Sequence, residues 1–153
     1  MSTETNPAHA VVDSVEHSLR LAATWRTWDG RPRHTDDGER IYTPHKVVRR
    51  IADHIVDHLA EVEALLAGVP TQADAWGASM VTTEGDRVAF TDVDLVEAEQ
   101  RLRRLARTFE LRYSAAGPAA WDAPRGDSWT LREIATHLAN VRWYADQLGD
   151  LSA

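Results

Sequence analysis

Apolar residues recur at three- and four-residue steps in four separate stretches of the chain, and polar residues fill the positions between them. In the first stretch, residues 8–28, Val11, Val15, Ala22 and Trp25 share a stripe, with Ser18 inside it and Leu19 beside it. Pro7 suits the start of such a helix, where a missing N–H costs nothing. A second helix is predicted over 43–67, with Val47, Ile51, Ile55, Leu59, Val62 and Leu66 on one face. Thr43 is its cap, Pro44 takes its first position, and Gly68 followed by Pro70 stops it. A third helix over 92–115 starts behind Thr91 or Asp92 and carries Leu95, Ala98, Leu102, Leu105, Ala106, Phe109 and Tyr113 on one side, until Gly117 and Pro118 break it. The fourth, residues 129–148, has Ser128 as its cap, a stripe of Leu131, Ile134, Leu138, Val141, Ala145 and Leu148, and a stop at Gly149.

The connections lack any period. Residues 29–41 (DGRPRHTDDGERI) are polar, with two glycines and a proline, and read as a loop. Residues 71–91 scatter Trp76, Val88 and Phe90 among Gly77, Gly85 and several Thr and Asp. They predict a long irregular crossover between helices two and three, with a short strand-like stretch near 87–90. Residues 119–128 read as another loop. Four amphipathic helices of about 20 residues without strand alternation predict an all-α fold, a four-helix bundle. With 153 residues, the chain is expected to form one domain, 1–153.

Composition narrows the function. No apolar run approaches the roughly 20 residues needed to span a bilayer, and the opening MSTETNPAHA has neither the basic nor the apolar part of a signal peptide. A cytoplasmic protein with no membrane partner is expected. The absence of cysteine excludes a disulfide framework, a thiolate nucleophile and a cysteine-type zinc site, so any thiol chemistry needs an external thiol. A net charge of −7 argues against nucleic acid, whose phosphates require a basic face. The arginines at 49–50 and at 101, 103, 104 and 107 have acidic neighbours such as Glu97 and Glu99, and read as solvated helix faces. Arg50 is expected to pair with the acids of its own helix. Six tryptophans are many for this length. Most should be core anchors or helix-end plugs, and one or two should line a pocket mouth.

The candidate chemistry lies in three histidines. His54 and His58 are one turn apart on the second helix, within roughly 80° and 40° of its apolar centre, and His137 lies about 60° from the centre of the fourth. An i, i+4 pair lets two imidazoles converge on one ion, and neutral imidazole ligates zinc, nickel and iron. Three nitrogens with open positions have the character of a catalytic site. A histidine beside an apolar stripe also reads as a satisfied, partly buried side chain without a metal. Asp57 and Glu61 border the histidine face, as ligands or as partners for an imidazole N–H. His9, His17, His34 and His45 read as surface residues.

Residues 129–138 (WTLREIATHL), followed by Tyr144 and by Leu148, Gly149 and Asp150, resemble the C-terminal helix of the DinB-like (DinB/YfiT-type) family. Residues 49–55 (RRIADHI) with His58 look like that family's other histidine-bearing helix, and helix order agrees along essentially the whole chain. The resemblance implies a four-helix bundle, often a homodimer, with a divalent metal (zinc, nickel, iron or manganese) held by three histidines and no DNA binding. It also implies a metal-dependent hydrolase, or an isomerase or transferase that works with a low-molecular-weight thiol such as mycothiol or bacillithiol. His54 matches the helix-two ligand and His137 the first of a helix-four pair, whose second member is Val141 here. Two alternatives follow. Either His58 supplies the third nitrogen, or the site is degenerate and the bundle is non-catalytic, binding a small ligand or a protein partner.

Overall fold

The computed structural model describes residues 4–73 and 77–152. The chain is all-α apart from one two-residue hairpin. Helix α1 spans His9–Ala22, α2 Pro44–Ala67, α3 Asp92–Ala116, α4 Pro118–Trp121, α5 Leu131–Leu138 and α6 Arg142–Leu148. Helix α2 packs against α3, α5 and α6, and α1 packs against the same three. The apolar stripes meet in one core that includes Val11, Val15, Trp25, Val47, Ile51, Ile55, Leu102, Phe109, Tyr113, Leu131, Ile134 and Leu138. Among the described residues, no helix is long and apolar enough to cross a membrane.

Helix ends follow the local chemistry. Thr43 accepts a hydrogen bond from the Lys46 amide at the start of α2, and Gly68, at φ 71°, ends it in the left-handed conformation that glycine adopts without strain. Thr91, not Asp92, caps α3 in a reciprocal box with Asp94.

The predicted boundaries shift where side chains compete with the backbone. The first helix stops at Ala22 rather than running to residue 28. The Thr24 hydroxyl donates to the Leu21 carbonyl and accepts from the Leu151 amide, so the chain tightens into a 3₁₀ turn at Trp25–Thr27. The segment read as a loop at 29–41 contains half of a hairpin, in which Arg33–His34 pairs antiparallel with Ile41–Tyr42. Two-residue strands are too short to show alternation. The crossover carries 3₁₀ turns at Gly77–Met80 and Glu84–Arg87, and no strand forms at 87–90. Val88 is extended but finds no partner strand among the described residues. Trp76 lies outside the described residues. Residues 118–121, expected to be broken chain and loop, form the single turn α4.

The predicted fourth helix is interrupted. Thr130 caps α5 in a box with Glu133 in place of Ser128, and a 3₁₀ turn at Ala139–Val141 separates α5 from α6. The Arg142 amide donates to the Ser14 hydroxyl of α1 at 3.0 Å, which replaces the backbone bond lost at the break.

The crossover is tied to α2 by charge. Arg49 reaches Asp86 at 2.7 Å and the carbonyls of Ser79 and Val81, while Asp53 accepts from Ser79 at 2.5 Å. Burial works against the Asp86 charge, but the Arg49 guanidinium and the Thr83 amide outweigh it and hold the carboxyl below its usual range. Asp86→Ala should destabilise the protein by about 2–3 kcal/mol, because it strips both Arg49 and the Thr83 cap of their acceptor. Urea denaturation measures the loss, and hydrogen exchange should quicken most over residues 77–88.

Candidate metal centre

Three imidazoles from two helices meet beside the α2–α5–α6 junction. His54 and His58 stand one turn apart on α2, and His137 projects from the last turn of α5. Their ring centroids lie 5.9 Å (His54–His58), 5.0 Å (His58–His137) and 6.3 Å (His54–His137) apart. One ligating atom from each falls within 4.8 Å of the other two. His58 is buried, His54 half-buried, and His137 exposed as a residue, although its ring packs against Trp129 at 4.9 Å. The helical phases predicted this convergence, but His137 forms the rim of the site rather than its floor.

The surroundings set what each ring can do. His58 Nδ1 is 3.2 Å from a Glu61 carboxylate oxygen. A carboxylate can only accept, so Nδ1 carries the proton and Nε2 keeps its lone pair, which is the tautomer a metal ligand needs. His54 Nδ1 is 3.0 Å from the Tyr144 hydroxyl, and Arg50 donates to that same oxygen from 2.9 Å. Burial first, and then the positive charges of Arg50 and the neighbouring histidines, hold His54 down to about 4. Burial, with His58 next, also lowers His137 against the opposing pull of Glu61. For His54 and His137 the net effect favours the neutral ring with a free lone pair. Burial raises the Tyr144 phenol above its ordinary value while Arg50 opposes that shift.

These residues fit a divalent ion. A separation of 4.8 Å exceeds the about 3.3 Å between nitrogens that each sit 2.0–2.1 Å from one tetrahedral zinc. Binding one ion would therefore require the rings to draw together by rotation of their side chains. Neither Asp57 nor Glu61 joins the converging ligand atoms, and Glu61 serves as the partner of His58.

The histidines open onto a cleft of about 180 Å³ lined by His54, His137, Asn140, Val141, Trp143 and Tyr144. Among the described residues the exposed tryptophans are Trp143, which lines this cleft, and Trp129, which packs against His137. A larger cleft of about 570 Å³ lies between α2 and α3, bordered by His45, Arg49, Asp86 and Arg101, but its charged groups already pair. The remaining histidines make surface pairs, His9 with Glu110 and His17 with Asp146, while His34 is exposed and His45 is half-buried against Phe90.

Sequence reasoning overlooked Arg50 and Tyr144. Arg50 turns inward to Tyr144 instead of to the acids of α2. The available signals were spacings: Arg50 lies four residues before His54 and Tyr144 seven after His137, each on its histidine's side of the helix.

The chain matches no protein-family model, no curated protein and no solved structure among those it was compared with.

The depressed His54 value makes the stability of the metal-free chain depend on pH. Unfolded, the ring takes up a proton below 6.5, whereas folded it stays neutral down to about 4. Stability from this group is therefore complete above 6.5 and is lost as pH falls toward 4, by about 3 kcal/mol at most. In urea titrations with chelator present, the wild-type curve should slope across this window more steeply than that of His54→Asn.

Proposed function

We propose that the chain is a DinB-like four-helix bundle, with α5 and α6 together as its fourth helix, that holds a divalent ion through His54, His58 and His137. In this reading it is a metal-dependent enzyme acting with an external low-molecular-weight thiol in transferase, isomerase or hydrolase chemistry. One observation carries the proposal: ligating atoms from three histidines on two helices lie within 4.8 Å of one another. The way α1 and α2 each pack on α3, α5 and α6 supports the bundle.

Zinc, nickel, iron and manganese all suit a site of this kind. When bound, the ion supplies Lewis acidity and lowers the pKa of a coordinated group. The chain's own residues do the rest. Glu61 fixes the His58 tautomer, burial keeps His54 neutral, and Trp129 braces the exposed His137 ring. Because the chain has no cysteine, the thiol comes from outside.

A second reading has a specific observation behind it. Val141, where the family places a further histidine, is buried in the core and cannot ligate. On that reading the bundle is non-catalytic, its metal site is degenerate, and the cleft binds a small ligand or a protein partner.

Elemental analysis of protein purified without a polyhistidine tag separates the two readings. His54→Ala and His137→Ala should abolish loading, His58→Ala should weaken it, and Glu61→Ala should lower affinity by about 10–100-fold. Wild-type protein that takes up no zinc, nickel, iron or manganese would refute the metal reading. Homodimerisation belongs to the same proposal and draws support from Trp129 and Trp143, which are 46% and 41% exposed. A single 17.1 kDa species in sedimentation at micromolar concentration would contradict it.

A further inference from the structure

The buried Tyr144 hydroxyl stands between a fixed donor, Arg50, and an imidazole nitrogen of His54. A phenol offers one O–H and two acceptor lone pairs. Arg50 Nη2 fills one lone pair from 2.9 Å and, having no acceptor capacity, can only donate. The other neighbour is His54 Nδ1 at 3.0 Å.

The direction of the His54–Tyr144 bond depends on what Nε2 does. Without metal, the Tyr144 O–H can donate to Nδ1 while the imidazole keeps its proton on Nε2. With Nε2 as a metal ligand, the proton must sit on Nδ1, and His54 becomes the second donor to the phenol oxygen. Both lone pairs of Tyr144 are then occupied, and its own proton has to find another acceptor. The cleft beside His54 and His137 is the open space that Tyr144 lines, and Trp143 forms part of the same wall. The Trp143 ring is 41% exposed and stands edge-on to Tyr144 at 5.5 Å.

We propose that Tyr144 is the specificity-determining donor of this cleft, presenting its O–H to a ligand with an oxygen acceptor, a carboxylate, whose apolar body rests on Trp143. The inference rests on the three-histidine metal reading and adds the ligand class to it. A ligand whose head group is itself a donor is disfavoured, because no lone pair of Tyr144 remains to receive it. Arg50 enforces this choice from beneath, since it cannot reverse its bond.

Cobalt(II)-loaded protein, followed by its visible absorption and titrated with acetate and with benzoate, tests the proposal. Both anions should perturb the spectrum, with benzoate binding tighter than acetate. Measured on cobalt-saturated protein, Tyr144→Phe should weaken both by about tenfold, the worth of one hydrogen bond. Trp143→Ala should remove the advantage of benzoate and leave acetate unchanged. Equal anion affinities in wild type and Tyr144→Phe would overturn the proposal, as would loss of cobalt binding in that variant, which would mean that Tyr144 serves only to hold His54. Benzoate binding no tighter than acetate would overturn the role of Trp143. Failure of wild-type protein to take up cobalt is a separate result and would fell the metal reading itself. A nitrogen-15 spectrum of wild-type imidazoles checks the same idea without a variant. In zinc-loaded protein His54 should be protonated at Nδ1, the nitrogen facing Tyr144, and a proton found on Nε2 there would overturn the proposal.

Discussion

Two buried cations on α2 set the terms for the rest of the molecule. Lys46 and Arg50 are 2% and 6% exposed, on a helix whose other inward residues are mostly aliphatic. Taking a cation out of water costs several kcal/mol unless bonds from the protein replace its hydration. Those bonds come from segments that fold over the helix. Lys46 Nζ donates to the Ile41 carbonyl of the hairpin and to the Thr82 hydroxyl of the crossover. Arg50 donates to Tyr144 and lies 5.1 Å over the same ring. The burial that depresses the Lys46 ammonium is opposed by Asp86, the carboxylate that also holds Arg49. The hairpin, the crossover and α6 are thus gathered around one charged stretch of α2, immediately before His54.

That arrangement explains why the site lies where it does. If α5 and α6 were one regular helix, a residue seven positions after His137 would fall almost directly above it. The 3₁₀ turn at Ala139–Val141 adds roughly 60° of rotation over three residues. Ser14 makes the break tolerable by receiving the Arg142 amide. Tyr144 then reaches both Arg50 and His54, while His137 stays at the rim near His58. A single substitution at Ser14, on a helix that contributes no imidazole to the cluster, would therefore reach the site through the phase of α6.

What the sequence made legible depended on how local the deciding interactions are. The Thr43–Pro44 start and the Gly68 stop of α2 involve residues within one turn of each other, so they are readable from order alone. The inward phases of His54 and His58 are equally local. Thr130 and Glu133 formed a readable box that reliance on Ser128 passed over. The break in the last helix was hidden because its cause, Ser14, lies 128 residues away. The same holds for Arg50 and Tyr144, 94 positions apart. Periodicity reports which side of a helix is apolar. It does not report which polar residue on that side will find a partner across the core.

Val141 shapes the candidate site as well as offering it no ligand atom. It lines the cleft as a hydrocarbon wall, so the candidate donor set consists of three imidazoles. Neutral ligands cancel none of a divalent ion's formal charge, whereas a carboxylate ligand would remove one unit. Glu61 stands 3.2 Å from His58 and acts on His137 as well, so it would offset that charge from behind the rings. Arg50 adds a further positive charge beneath His54, and its Nε finds no partner among the described residues. With an ion bound as proposed, positive charge would gather at one end of a half-apolar cleft and be only partly offset by Glu61, even though the chain as a whole carries −7. An electrostatic imbalance of that kind is relieved by an anion entering from solvent. Because the opposing wall is valine and tryptophan, the anion that gains most is one with an apolar remainder to bury.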